Sequence, residues 1–147
     1  MPILIFIFIV AAITALLEIQ IEGPNGWAKN LPTWRSDPKK LSSKILCFLL
    51  NKKELTGYHL ALWTQILVFF HAPLFWGVLW NISTETDIIA SFLLFLMIED
   101  FLWFVFNPAF GIKKFKKENI PWHKNWLGPF PRGYYITTIL VLILYSI

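Results

Sequence analysis

The sequence predicts an all-α integral membrane protein: one domain of four transmembrane helices with two structured cytosolic loops and a short interfacial helix. Three observations predict it. Hydrophobic residues make up 56% of the chain and charged residues only 15%, too little polar surface for a soluble domain of 147 residues. Four apolar stretches approach the roughly 20 residues that a spanning helix needs. All 13 lysines and arginines fall in the two segments that follow the first and third stretches.

The first span covers residues 2–21. It lacks a basic leading segment, and the Glu18 to Pro24 sequence offers no small-residue cleavage site, so it reads as a span and not as a signal peptide. Gly23-Pro24-Asn25-Gly26 is a turn cluster that ends it. The loop beyond carries Lys29, Arg35, Lys39, Lys40, Lys44, Lys52 and Lys53. Inside that loop, residues 42–51 form an apolar run flanked by lysines. The run is too short to span, and Ser42 or Ser43 can cap it, so it is expected as a helix lying in the interface. The second span covers 58–80. Pro73 frees a carbonyl near Phe69, which predicts a bend there. The third covers 87–107 and stops at Asn107-Pro108. The fourth covers 131–147, 17 residues at most, and reaches only ~25 Å.

Lys113, Lys114, Lys116, Lys117, Lys124 and, at the boundary of the fourth span, Arg132 follow the third span, while the Asn81 to Thr86 connection has no basic residue. The positive-inside rule then places both long loops in the cytosol and both termini outside it. Charges used this way explain the net +4 through topology and anionic headgroups, so the bilayer is the expected partner and nucleic acid is not. The lone Cys47 excludes an intrachain disulfide, a dithiol pair and a multi-thiolate metal site, and its apolar neighbours make it an inert packing residue. Trp76 and Trp80 fit an outer aromatic belt, and Trp27, Trp34, Trp122 and Trp126 an inner one. Trp27-Ala28-Lys29-Asn30 echoes Trp122-His123-Lys124-Asn125, each after an odd-numbered span.

The most informative residues are Glu99 and Asp100, adjacent carboxylates in an otherwise apolar run. A charge at mid-bilayer costs about 2.5–3.5 kcal/mol on insertion scales, so such residues imply a use or a partner. Glu18 and Glu22 lie one turn apart near the cytosolic end of the first span, and His59 at the cytosolic start of the second. His123 lies in the second loop. These six residues are expected at one end of the bundle. His71, ~18 Å along the second span from His59, is expected as a hydrogen-bonded core residue.

Three chemistries fit the set. Four carboxylates and two imidazoles equal the ligand count of dimetal sites in helical bundles, and suit a divalent iron, manganese or zinc. Against this, no Glu-x-x-His or His-x-x-His pair occurs. Adjacent carboxylates in a low dielectric also suit acid–base chemistry without metal. Finally, polar residues can tie helices together without further function. The leading expectation is a small polytopic enzyme acting on a lipid-like or isoprenoid substrate at the cytosolic leaflet. Glu99, Asp100, Glu18, Glu22 and His123 would form its catalytic group, and Arg35, Trp103 and Trp63 would contact substrate. The metal candidates are Glu18, Glu22, Glu99, Asp100, His59 and His123. The alternatives are a dimeric proton-coupled transporter and a non-catalytic subunit of a membrane complex, and a homo-oligomer is compatible with each. The transporter shares the general layout of small multidrug transporters, from which the long tryptophan-rich loops depart.

Overall fold

The computed structural model describes residues 2–49, 54–123 and 125–147. Helix α1 spans Pro2–Glu22, α2 Leu41–Leu49, α3 Gly57–Phe70, α4 Ala72–Phe75, α5 Ile82–Phe106 and α6 Arg132–Leu144. A two-stranded hairpin, β1 (Trp126–Leu127) and β2 (Phe130–Pro131), precedes α6. Gly128, with φ 59°, opens its two-residue turn, followed by Pro129. A glycine at the first central position is what a turn of this twist requires.

Helix α5 is the central element and packs against α1, α3 and α6. The helices alternate in direction. Phe6 near the start of α1 meets Phe69 and Phe70 at the end of α3, and Ser91 early in α5 bonds Tyr145 just past α6 at 2.9 Å. Both chain ends therefore lie at one end of the bundle. The described parts of the segments 23–56 and 107–131 lie at the other.

Among the described residues, only α1, continued through its terminal turn to Asn25, and α5 are long and apolar enough to cross a membrane. The second and fourth apolar stretches, expected as spans 58–80 and 131–147, are shorter as helices. Helix α3 stops at Phe70 because Pro73 cannot donate to the Phe69 carbonyl and its ring collides with that turn. The chain restarts as the single turn α4, and Gly77 at φ 97° then leads it away from helical geometry. Helix α6 loses its first residue to the hairpin and frays after Leu144. Helix α5 instead starts earlier than expected, because the Asn81 side chain accepts from Thr84 N at 2.9 Å and caps it. Helix α2 matches the expected 42–51 run as far as Leu49; Leu50, Asn51, Lys52 and Lys53 lie outside the described residues, as does Lys124.

On α1 both glutamates and Thr14 face inward, and most of the large apolar residues face outward. Its buried stripe is Ile7, Ala11, Thr14, Ala15, Glu18, Ile19 and Glu22, while Ile5, Ile9, Ile13 and Leu17 are exposed. Small residues on the stripe let α5 approach closely. The far half of the bundle is filled by Ile7, Phe70 and Phe95.

Two polar anchors set the level of the near half. Asn107, 2% exposed, donates to Gly23 O at 3.1 Å, joining the end of α5 to the end of α1. The first loop is pinned to the start of α3, where Gly57 N donates to Trp34 O and Ser36 N to Leu55 O.

Candidate functional site

Asn107 brings the ends of α1 and α5 together, and this places Glu18, Glu22 and Glu99 at a shared depth. Glu18 and Glu22 are one turn apart on the buried stripe of α1 and are only 5% and 6% exposed. His59 enters from the first turn of α3. Thr56 caps that helix, accepting from His59 N at 3.2 Å, and its hydroxyl also lies 2.6 Å from His59 Nδ1. The bond leaves Nε2 pointing at the carboxylates, 3.3 Å from Glu22 Oε1 and 4.0 Å from Glu18 Oε1. Trp27 stacks on the imidazole with ring centroids 4.0 Å apart.

Trp27 reaches this position through an unusual backbone. Gly26, Trp27 and Ala28 all have positive φ, at 61°, 49° and 49°. Left-handed geometry at two consecutive side-chain-bearing residues costs roughly 1–2 kcal/mol each. The turn is held by Glu22 Oε1, which accepts from Ala28 N at 2.5 Å. It is held also by Arg35, whose Nη2 donates to Ala28 O at 2.6 Å while Nη1 pairs with Glu54 Oε1 at 2.7 Å. Arg35, expected to contact substrate, does not line the cavity. Its guanidinium braces the turn that carries Trp27.

Helix α5 presents its two carboxylates in different directions, as adjacent residues ~100° apart must. Glu99 faces α1 and lines the same cavity as Glu18. Asp100 faces the second loop and α6. Its Oδ2 accepts from Tyr134 Oη at 2.6 Å and lies 3.0 Å from His123 Nε2. His123 is lowered to this level by Trp122, which stacks on Phe104 and packs edge-on against Trp103 and Phe110.

All six expected residues, with Trp63 and Trp103, line one cavity of about 250 Å³. Its roof is Gly26, Trp27, Trp122 and His123 from the two loops, and Leu93, Leu96, Met97, Ile136 and Leu140 of α5 and α6 form an apolar wall. Several polar atoms facing this region have no hydrogen-bond partner: Glu18 Oε1, Glu99 Oε1, Tyr58 Oη and Trp103 Nε1. Such atoms are costly when buried unless something else satisfies them. Trp27 and Trp122, expected in a belt, both line the cavity.

Sequence reasoning missed Tyr134 and Thr56. Both are neutral, so no insertion penalty marks them, though Tyr134 in the first turn of an apolar helix carries a hydroxyl that needs a partner. His71 lies at the far end of the bundle, bonded to Leu67 O at 2.7 Å and to Glu85 Oε1 at 3.3 Å. The chain matches no family model, no curated protein and no solved structure.

Proposed function

We propose that the protein is a small membrane enzyme that acts on a lipid-like or isoprenoid substrate entering from the cytosolic leaflet. The observation that carries this reading is the cavity itself. One wall is aliphatic, and the other gathers acidic and basic groups with unpartnered oxygen atoms. An amphiphile fits such a space with its tail along α5 and α6 and its polar end at the carboxylates.

Membrane insertion is supported by the outward face of the molecule. Phe75, Trp76 and Leu79 are about 80% exposed, together with a full apolar face on α1 and much of α6. The spans 58–80 and 131–147 then cross as a broken helix and a short helix, which a bilayer accommodates by thinning or by burying the break in protein. The basic loops face the cytosol.

The acid–base work falls to His123. Its Nε2 faces Asp100, which together with Tyr134 holds the ring in one orientation, and leaves Nδ1 to take or give a proton. The far half of the bundle, packed with Ile7, Phe70 and Phe95, supports an enzyme over a proton-coupled transporter, which needs a polar path to both faces.

The test is conversion of a total membrane lipid extract by purified protein, followed by mass spectrometry. Wild type forms products that His123→Gln does not. Identical product profiles for the two proteins would reject the reading.

A further inference from the structure

The polar wall divides into two groups that do different things. Asp100, His123 and Tyr134 satisfy one another. In the other group, Glu18, Glu22, His59 and Glu99, one oxygen each of Glu18 and Glu99 has no partner. We infer that Glu18, Glu22 and His59 form a binding site for one divalent transition-metal cation of the manganese, iron or zinc group.

Three observations carry this assignment. One ligand atom from each of Glu18, Glu22 and His59 lies within 4.8 Å of the other two. Atoms bound at the roughly 2.0–2.2 Å typical of oxygen and nitrogen ligands are ~3–4 Å from one another, close to the observed 3.3 and 4.0 Å. Second, Glu18 Oε1 and Glu99 Oε1 are unpartnered although both residues are more than nine-tenths buried. Two such carboxyl groups side by side are held by a shared proton or by a cation. Among the described residues no lysine or arginine lines the cavity to supply the positive charge.

Third, the surroundings orient the ligands as metal sites do. A ligating histidine is usually bonded through its other nitrogen, and here Thr56 Oγ1 meets His59 Nδ1 while Trp27 fixes the ring plane. Glu22 is steadied by Ala28 N. The mixed carboxylate and imidazole set favours a transition metal over magnesium or calcium. The Glu-x-x-His signature is absent because the histidine comes from α3 and not from the helix that carries the glutamates.

The site does not depend on the substrate reading, and the test uses metal alone. Full-length protein in detergent is stripped with a chelator, dialysed and titrated with Co²⁺, read by ligand-field absorption. The expected result is one Co²⁺ per chain, displaced by Zn²⁺, with affinity reduced on the order of 100-fold in Glu22→Gln and in His59→Gln and unchanged in His71→Gln. Absence of stoichiometric binding by the wild type would overturn the site without reference to any variant. So would binding lost in His123→Gln but retained in His59→Gln, which would put the ion at Asp100.

Discussion

Glu99 is buried at the cavity wall with one oxygen lacking a donor. A glutamine there has the same shape, carries no charge and brings N–H donors toward Glu18. Glu99→Gln is therefore expected to keep the fold, with stability at or above wild type by up to about 1 kcal/mol from the added hydrogen bond, and to abolish lipid conversion. Thermal unfolding and the conversion assay, run on the same preparation, check the two halves; full activity in this variant would remove Glu99 from the site. Tyr134 allows a narrower cut. Its ring packs near Phe115 and Phe130, so Tyr134→Phe keeps the packing and deletes only the donor to Asp100. The loss is expected at about 1–3 kcal/mol, the range for hydrogen bonds to charged groups and buried acceptors. It should be visible as a lowered melting temperature, with reduced activity because His123 loses part of its support.

The roof depends on one turn between α1 and the first loop. Gly26 has φ 61° and ψ 175°, a region that only glycine occupies readily. A Cβ at this position would lie 2.9 Å from Trp103 Cη2 and 3.1 Å from Trp122. Gly23 also has positive φ, at 67°, but nothing lies within 4 Å of its added Cβ. Gly26→Ala is thus expected to destabilise the protein beyond Gly23→Ala by about 1–3 kcal/mol, the usual range for overpacking. Paired melting curves measure the difference, and equal shifts would mean that the two tryptophans move aside freely. At the other end of α3, Pro73 and Gly77 set a break that has no contact with the cavity, so its role belongs to the bundle's shape.

The whole molecule has an outer surface more apolar than parts of its interior, with Glu18, Glu22, His59 and Glu99 inside and a band of isoleucine, leucine and phenylalanine outside. Burial of that band in lipid is expected to keep the protein in the membrane pellet through alkaline carbonate washing and release it with detergent; release by carbonate alone would contradict insertion. The alternating helix directions place both chain ends at the end away from the cavity. Reporters fused at Met1 and Ile147 are expected to read as extracytoplasmic, and cytosolic signals would reverse the proposed orientation of the cavity.

The sequence by itself determined the helical architecture and the residues that would stand out within it. Apolar runs of spanning length announce α1 and α5, Pro73 announces the break after α3, and charged residues in such runs announce Glu18, Glu22, Glu99 and Asp100. These features are local, because hydropathy and proline stereochemistry are properties of a short stretch of chain. What only the tertiary structure decided is the grouping. No local pattern shows that Glu99 faces α1 while Asp100 faces His123, that Tyr134 and Thr56 complete the two clusters, or that Arg35 braces the turn at Ala28. Those assignments depend on helix rotation and depth, which are fixed by long-range contacts such as Asn107 to Gly23 and by the packing of Trp122 on Phe104. A hydrogen bond spanning 84 positions of the chain leaves no periodicity in the sequence from which it could be read.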